Sequence, residues 1–354
     1  GVDSAVAAYL LIKEGYDVVG LFMKNWDSNI NNDPEGITEG ICPQEQDFID
    51  AKNACDILGI PLYRVDFIKE YWDNVFTYFL KELEKGRTPN PDIMCNKYIK
   101  FDLFLKEAKK LGADKVATGH YARIEGNKLL RAVDLNKDQT YFLSQVKVDN
   151  FKDILFPIGN LTKPEVRKIA KEIGLNVADK KDSTGICFIG ERHYQQFVQN
   201  YIKGREGDIV NVETNEVIGK HNGLINYTIG QRRNVGLSGD DKRHYVCGKN
   251  VEKNILYVAY GEDNKYLMSD EAVIEEMNYI GSEKPTFATC KFRYRAEDVP
   301  IRIEYLNEKE IIVRYDSAKA VTPGQACVIY LGNECIGGGI IKEVRKNGEK
   351  LWYL

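Results

Sequence analysis

Two of the eight cysteines lie in segments rich in Gly, Pro, Asp and Lys rather than in an apolar stripe. Cys95 follows a proline-rich turn, and Cys187 follows Gly185-Ile186. The thiolate is the reactive form of cysteine, and nearby cations favour it. The neighbouring cations are Lys97 beside Cys95, and Lys180, Lys181 or Arg192 beside Cys187. We therefore predict that both cysteines take part in sulfur chemistry.

The other cysteines give no such signal. Five of them are predicted to be small buried hydrophobic residues, namely Cys55, Cys247, Cys290, Cys327 and Cys335. Cys42, next to Pro43 in a loop, fits either interpretation. No Cys-x-x-Cys spacing occurs, so no structural zinc site is expected. Free cysteines with abundant Lys and Asn are typical of a reducing cytosol, which predicts a cytoplasmic protein.

The residues Gly1-Val2-Asp3-Ser4, directly before a predicted helix, could hold a phosphate group. Free N–H groups and the positive end of the helix dipole attract an anion, and glycine lets the backbone approach it closely. Ser4 could add a hydroxyl donor, whereas Asp3 could order Mg²⁺ or the loop itself. An ordinary helix start capped by Asp3 or Ser4 is the alternative.

Composition sets limits on the class of protein. A chain of 354 residues predicts two or three domains. No apolar run approaches the roughly 18 residues of a membrane helix, so no membrane partner is expected. A net charge of −4 argues against a nonspecific nucleic-acid binder but leaves room for local basic patches. Such patches are Lys97 with Lys100, Lys106, Lys109 and Lys110, Arg232 with Arg233, Lys242 with Arg243, and Arg293 with Arg295. Each could equally be a solvated face.

The elements of the first half alternate between strand and helix. Strands are predicted at 17–23, 61–67 and 115–119, the first of them buried, and helices at 47–58, 71–83 and 102–111. This alternation predicts a doubly wound parallel sheet, in which ligands bind at the carboxyl ends of strands. Gly1 to Ser4, Met23 and Gly119-His120 are all expected at such ends, and therefore in one crevice.

The second half has a different pattern of predicted elements. Thr162 and Glu165 predict a capped helix that ends at Gly174, and a loop over 176–190 then carries Cys187. A short helix is predicted at 194–201. Short strands with frequent turns follow residue 205, and alternation from about residue 268 predicts a small barrel. We predict a catalytic α/β domain at 1–192, a small central domain at 193–266 and an all-β, barrel-like domain at 267–354.

Taken in order, the motifs resemble one family. They are Gly1 to Ser4, Gly20 to Trp26, Thr88 to Asn96, Ala117 to Tyr121, Lys137 to Tyr141, Ser183 to Phe188, Thr228 to Arg232, Phe292 to Arg295 and Thr322 to Gln325. Together they resemble the tRNA-specific 2-thiouridylases of the MnmA type, which are PP-loop ATP pyrophosphatases. The resemblance covers essentially the whole chain. It also implies that a strand and the Ser-Gly half of the phosphate loop belong before Gly1.

The resemblance implies an activity and residue roles. The enzyme would replace O2 of the wobble uridine (U34) in glutamate, lysine and glutamine tRNAs with sulfur. Gly1, Val2, Asp3 and Ser4 would hold the phosphates of ATP, with Mg²⁺, and Met23 and Gly119 would border its adenine. Asn90, Pro91 and Asp92 would meet the extruded uracil. Asp92 would act as general acid or base, or only orient the base.

The same resemblance assigns the two cysteines. Cys187 would carry a persulfide received from a cysteine desulfurase or a sulfur-relay protein, and its terminal sulfur would attack C2 of the adenylated uracil. Cys95 would then attack the inner sulfur to form a transient disulfide. Alternatively, Cys95 would first free hydrosulfide from the persulfide. The sequence does not choose between these routes.

Seven further residues match positions that contact tRNA in the family. They are His120, Lys137, Asp138, Gln139, Arg293, Tyr294 and Gln325. Arg and Lys would neutralise phosphates, and Tyr294 could stack on a base. For Arg293, alternation with Arg295 along a solvated strand is the simpler alternative.

Three other functions fit parts of the sequence. Another PP-loop enzyme, such as a GMP or lysidine synthetase, would need no pair of loop cysteines. A non-catalytic RNA-binding protein would leave Asp92, Cys95 and Cys187 without a role. A plain sulfur carrier would consume no ATP.

Overall fold

The structure is a computed structural model, and it describes residues 1–34, 43–175, 178, 194–237, 243–281 and 283–354. Cys42, Cys187 and the cations predicted beside Cys187 lie outside these residues, as does most of the loop predicted at 176–190.

The first part of the chain alternates helices with short strands. Its elements are α1 (Val2–Lys13), β1 (Gly20–Lys24), α2 (Pro43–Leu58), β2 (Leu62–Asp66), α3 (Ile68–Tyr71), α4 (Thr77–Glu84), α5 (Pro91–Met94), α6 (Phe104–Lys110), β3 (Val116–Ala117), β4 (Ala122–Glu125), β5 (Lys128–Arg131), α7 (Thr140–Leu143), β6 (Ile154–Leu155), α8 (Lys163–Glu172) and α9 (Tyr194–Gln199). Among the described residues of this first part, the parallel strands form two pairs, β1 with β2 and β3 with β6.

The prediction for the first strand was wrong in two respects. The strand begins at Gly20 rather than at residue 17, and its residues are only half-buried. A Cβ atom on Gly20 would lie 2.7 Å from Cys55 Sγ on α2. Strand β1 can therefore pass beneath the helix only where a glycine leaves room.

A helical segment over 91–110, kinked at Phe101 (φ −114°, ψ 16°), extends the predicted helix at 102–111 toward the N-terminus. It begins at Pro91, and a wide π-helical turn, Cys95–Leu103, joins α5 to α6. Asn90 caps the helix, with its side-chain oxygen accepting a hydrogen bond from Ile93 N at 3.3 Å. Asn followed by Pro is a common start of a helix. The turn predicted at these residues is therefore wrong.

Helix α8 confirms the predicted cap. Glu165 Oε2 accepts hydrogen bonds from Thr162 N at 2.7 Å and from Thr162 Oγ1 at 2.8 Å. Beyond the helix, Gly174 has a left-handed φ of 72°. The cap fixes the first residue of the helix, Lys163, whose side chain is buried.

The central part is a four-stranded sheet. Its strands are β7 (Gly207–Asn211), β8 (Val217–His221), β9 (His244–Asn250) and β10 (Ile255–Tyr260), in the order β8-β7-β10-β9. Strands β7 and β10 are parallel, and the other pairs are antiparallel.

The last part is a closed barrel, as predicted. Its strands are β11 (Met268–Tyr279), β12 (Phe287–Lys291), β13 (Val299–Tyr305), β14 (Ile311–Lys319), β15 (Ala326–Leu331) and β16 (Glu334–Lys346). The order β11-β14-β13-β12-β15-β16 closes through β11 and β16, and the short β17 (Glu349–Lys350) pairs with β16. Ile303, Val313 and Cys327 contribute to the apolar core of the barrel.

The barrel and the α/β part share a sheet and a core. The hairpin β4–β5 adds to β16 through the pairs Leu130 with Glu334 and Leu129 with Cys335. Arg131 supports this junction. Its Nη2 lies 2.7 Å from Asp298 Oδ2, and its Cζ lies 3.7 Å from the ring centre of Tyr330. The two parts are therefore built as one unit.

In the described ranges, no helix is both long enough and apolar enough to cross a membrane.

Replacement of Thr162 by Ala should destabilise the protein by about 1 kcal/mol, because the cap of α8 is lost. Urea denaturation measures this change. Lys168→Ala, at an exposed position of the same helix, is the control and should change the free energy of unfolding by less than about 0.5 kcal/mol. Equal stability of the two variants would contradict a structural role for the cap.

Candidate active site

The residues Gly1 to Ser4 lie at the start of α1, as predicted. Gly1 occupies the cap position, and both Gly1 and Ser4 are exposed. A Cβ atom on Gly1 would meet no atom within 4 Å. Since the helix has 12 residues, its N-terminal N–H groups and dipole favour an anion. These features fit the phosphates of a nucleotide.

Asp3 is held by two side chains that the sequence analysis missed. Lys163 Nζ donates to both carboxylate oxygens, at 2.8 and 2.9 Å, and Tyr121 Oη donates to Oδ1 at 3.0 Å. The side chain of Lys163 is only 9% exposed. Of the two roles predicted for Asp3, ordering the loop is the one that these contacts support.

Gly119 packs directly against this loop. A Cβ atom at Gly119 would lie 2.6 Å from the carbonyl carbon of Asp3 and 2.6 Å from Ser4 N. Two of the three segments predicted to share a crevice are therefore in contact. Met23, in the third segment, lies on β1 and packs against the main core.

Gln139 connects a second predicted segment to the phosphate loop. Its side-chain oxygen accepts a hydrogen bond from Tyr121 N at 2.9 Å, and its backbone N–H donates one to Tyr121 O at 2.8 Å. Tyr121 in turn reaches Asp3. Gln139 therefore positions the first turn of α1 through Tyr121.

Asp138 is buried beside Gln139. It accepts hydrogen bonds from Thr140 Oγ1 at 2.7 Å and from Ala132 N at 3.0 Å. Burial raises the pKa of this carboxyl group, and the hydrogen bonds from Thr140 and Ala132 oppose the rise. Lys137, the preceding residue, is half-buried.

His120 lies inside the α/β part. Its ring is 9% exposed, packs against Phe101 and Phe156, and has Nδ1 2.8 Å from Thr118 Oγ1. Burial, and to a smaller extent the positive charge of Lys100, holds the pKa of His120 well below 6.5. A neutral, buried imidazole supports the fold here, and this placement does not present the ring to a nucleic acid.

Cys95 differs from the prediction. It begins the π-helical turn rather than lying in a loop, and it is 0% exposed, packed in the main core with Ile93, Met94 and Ile99. The predicted polar surroundings are therefore wrong. Asp92, in the first turn of α5, is half-buried, and Pro91 is the first residue of that helix.

Lys97, the cation predicted to assist Cys95, has another partner. Its Nζ donates to Gln145 Oε1 at 3.0 Å. Burial lowers the pKa of Lys97. Gln145 is itself fixed to the barrel, because its amide nitrogen donates to Gly338 O at 2.6 Å.

A turn of the barrel holds the segment that leads to Asn90. Thr88 N donates to Pro323 O at 3.0 Å, and Gln325 Nε2 donates to Thr88 O at 2.8 Å. Gly324, at a φ of 91°, comes so close that a Cβ atom would lie 2.9 Å from Thr88 N. Gln325 therefore positions the start of α5.

Arg293 connects the central sheet to the barrel. Its Nη2 donates to Ile229 O at 2.5 Å, Thr322 Oγ1 at 2.7 Å and Ala320 O at 3.0 Å. It also lies beyond the end of β12, so the predicted solvated strand is wrong. These bonds give Arg293 a positioning role, because a phosphate could reach Nη2 only by replacing them.

Tyr294 lines a cavity together with Asp138. The cavity has a volume of about 390 Å³, and its wall also includes Tyr141, Lys291 and Arg295. The ring of Tyr294 lies 4.4 Å from that of Phe142, centre to centre, which fixes its orientation. The structure thus brings together two of the predicted tRNA-contacting residues, and it adds the cations of Lys291 and Arg295.

Comparison with known proteins shows similarity along the whole chain. Family models described as tRNA methyl transferase HUP domain, tRNA methyl transferase PRC-barrel domain and aminomethyltransferase beta-barrel domain match residues 1–191, 195–260 and 269–341. These matches confirm the predicted architecture. The tRNA-specific 2-thiouridylase MnmA of Mesoplasma florum is 54% identical over 359 aligned residues, which cover 96% of each chain. The corresponding proteins of Mycoplasmopsis synoviae and Geobacillus thermodenitrificans are 52% and 50% identical, with 100% of this chain covered and 96% and 95% of theirs.

The chain belongs to the tRNA-specific 2-thiouridylase family. The candidate site includes several residues to which the sequence analysis assigned no role. Lys163, Tyr121 and Thr88 fix the phosphate loop and the approach to Asn90. The Thr-Lys-Pro-Glu helix start indicated where Lys163 lies, but nothing local indicated that its side chain reaches Asp3.

Replacement of His120 by Gln should reduce the pH dependence of stability. An unfolded His binds a proton near pH 6.5, whereas folded His120 does not, so the free energy of unfolding falls as the pH decreases below that value. The contribution is at most about 1.4 kcal/mol per pH unit. Urea denaturation on both sides of pH 6.5 measures it, with His244→Gln, at a half-buried histidine, as the control. An unchanged slope in His120→Gln would contradict this origin.

Proposed function

We propose that the protein is an ATP-dependent sulfurtransferase that converts U34 of glutamate, lysine and glutamine tRNAs to 2-thiouridine, releasing AMP and diphosphate. Similarity to 2-thiouridylases at about half of all positions, over 96% of both chains for Mesoplasma florum, carries this proposal. The geometry of the phosphate loop supports it. The proposed reaction needs an activated oxygen, a sulfur carrier and a second thiol.

The ATP site is proposed at Gly1 to Ser4, with Gly119 behind the loop and Met23 toward the adenine. When bound, ATP would supply the adenylyl group that turns O2 of the uracil into a leaving group. Lys163 would neutralise Asp3, so that the loop does not repel the phosphates. No group of three His, Cys, Asp or Glu in the described ranges could hold a metal ion, so we propose that Mg²⁺ is held chiefly by the phosphates.

The sulfur chemistry is assigned to Cys187 and Cys95. A persulfide on Cys187, supplied by a cysteine desulfurase or a relay protein, would attack C2 with its terminal sulfur, and AMP would leave with the former O2. The thiolate of Cys95 would attack the inner sulfur, leaving the outer sulfur and its electron pair on the uracil and forming a Cys95–Cys187 disulfide. In the alternative route, the same attack precedes transfer and releases hydrosulfide, which attacks C2. Both routes require a thiol reductant to restore the cysteines, in keeping with a cytoplasmic enzyme.

The buried position of Cys95 adds a requirement. Its side chain is 0% exposed, so the start of the helix must move before Cys95 can reach another sulfur. Asn90, Pro91 and Asp92 are proposed to meet the extruded uracil at the same helix start. Asp92 would serve as general acid or base, or would orient the base.

The proposed tRNA surface includes the cavity lined by Asp138 and Tyr294. Tyr294 offers a ring for stacking, and Lys291 and Arg295 can attract phosphates. Lys137 lies in the sequence between Asn136 and Asp138, which both line this cavity. Gln139, Gln325 and Arg293 act by positioning these elements, through the hydrogen bonds described above.

Replacement of Cys187 or Cys95 by Ser should abolish 2-thiouridine formation, because each sulfur carries one step of the transfer. Unmodified glutamate tRNA would be incubated with protein, ATP, Mg²⁺, a cysteine desulfurase and cysteine, and its nucleosides analysed by mass spectrometry. A mass increase equal to the exchange of oxygen for sulfur at U34, dependent on ATP, is expected from the unaltered protein.

Cys55→Ser, at a buried cysteine on α2, is the matched control and should retain activity. A mass increase of one methylene group would instead indicate methyl transfer, the reaction that the descriptions of two matching family models name. Full activity of Cys187→Ser would overturn its assignment as sulfur carrier. AMP release without any modified nucleoside would point to another PP-loop enzyme.

Replacement of Lys163 by Met should weaken ATP binding by about tenfold or more, equivalent to about 1.4 kcal/mol, because Asp3 would face the phosphates without its partner. Isothermal titration calorimetry in the presence of Mg²⁺ measures the dissociation constant. Lys168→Met, five residues further along α8, removes an exposed charge and should leave affinity unchanged. Equal affinities in the two variants would place the nucleotide elsewhere.

A further inference from the structure

A second cavity lies where the three parts of the chain meet. It has a volume of about 210 Å³. Its wall includes Gly86 after α4, Lys249 on β9, Pro323 in the barrel turn, Lys342 on β16 and Lys350 on β17. A cavity of this size has room for about seven water molecules at ~30 Å³ each. It is smaller than the roughly 300 Å³ at which pockets for drug-sized ligands begin.

Lys249 is a buried cation without a partner in this cavity. The residue is 8% exposed, and its Nζ has no hydrogen-bond partner among the described residues. Gly86, at a φ of 76°, packs over its stem, because a Cβ atom there would lie 3.9 Å from Lys249 Cδ. Burial lowers the pKa of Lys249 to about 7. An ammonium group in such a place is unfavourable unless a ligand compensates for its lost hydration.

The other cations around the cavity already have acidic partners. Lys85 pairs with Glu82 at 2.7 Å, Arg87 with Glu82 at 3.2 Å and Glu275 at 3.1 Å, Lys342 with Glu310 at 2.7 Å and Glu275 at 3.9 Å, and Lys350 with Glu343 at 3.8 Å. Of the acids named here, only Glu343 lines the cavity, against five cationic side chains. The wall therefore favours an anion, with Lys249 as the cation that has no acidic partner in the described part of the chain.

We propose that this cavity binds a phosphate group, with Lys249 Nζ as the central donor. A phosphate supplies the acceptor oxygens that Lys249 lacks, and it fits the volume and the surplus of positive charge. Two sources could supply this group. The first is a free anion, either phosphate or diphosphate, and the second is the backbone of a bound tRNA. Only the second source rests on the proposed function.

The site predicts a dependence of binding on pH. Without a ligand, Lys249 loses its proton as the pH rises through about 7. An anion favours the charged form, so binding above that pH requires uptake of a proton. The affinity should fall by up to about tenfold per pH unit above 7. Glu343, Lys85, Arg87, Lys342 and Lys350 are the other charged side chains that line the cavity, and Leu354, the last residue of the sequence, lines it too.

The first test uses inorganic phosphate and diphosphate, with sodium chloride at equal ionic strength as reference. Phosphate or diphosphate should raise the melting temperature of the unaltered protein, because a ligand that binds only the folded state stabilises it. Lys249→Met should lose this effect, whereas Lys253→Met, at an exposed lysine next to the same strand, should keep it. Lys163→Met, which alters the phosphate loop, should also keep it and so separates the two anion sites.

The second test uses tRNA. If a backbone phosphate occupies the cavity, Lys249→Met should weaken tRNA binding and reduce the slope of log affinity against log salt by about one. Free phosphate would then have little effect on either protein. Fluorescence anisotropy at several salt concentrations measures the slope, with Lys253→Met again as the control.

The proposal is overturned if neither free anions nor tRNA distinguish Lys249→Met from the unaltered protein. Misfolding is not expected to confuse the result. Removal of a buried, unpaired amine should leave the melting temperature without ligand unchanged or higher, most clearly below pH 7. The thermal test involves no thiolation, so its outcome is independent of whether the proposed function holds.

Discussion

The pairing of Asp3 with Lys163 is the interaction on which the candidate site depends. A carboxylate at the start of a helix that binds an anion would repel that anion. Two hydrogen bonds from a nearly buried ammonium group remove this conflict, and they also fix the carboxylate in one orientation. The pair is worth more than a surface ion pair because water screens it less, although burial of the ammonium offsets part of the gain.

The positions of both partners are in turn determined elsewhere. The capping box places Lys163 at the first position of α8, and Tyr121, held by Gln139, supports the other side of Asp3. Gly119 allows the loop to approach because it has no side chain. A site assembled in this way is sensitive to residues that need not touch the substrate. This explains how Gln139 can match a functional position although its hydrogen bonds with Tyr121 and Phe142 are internal to the protein.

Local patterns predicted the elements whose causes are local. The cap of α8 and the alternation in β13 depend on residues a few positions apart, and the structure confirms both. In β14 the alternation begins only at Val313, because Ile311 and Ile312 are both buried. The helix start at Asn90 was also a local signal, but two prolines and a cysteine suggested a turn. The Lys163–Asp3 pair spans 160 residues, and the bonds of Arg293 join separate domains. No local pattern contains such information, because it depends on how the elements pack.

The joining of β5 to β16 has a consequence for how this protein can be divided. The family models separate the chain into three regions, yet the hairpin of the first region completes a sheet of the last. A fragment lacking the barrel would expose the edge of β5, with unpaired backbone groups that invite association with other chains. It would also uncover apolar side chains that now pack against Tyr330 and Ile340. The regions that the family models separate thus share a sheet and a core in this chain, and a fragment without the barrel is a poor substitute for the whole protein.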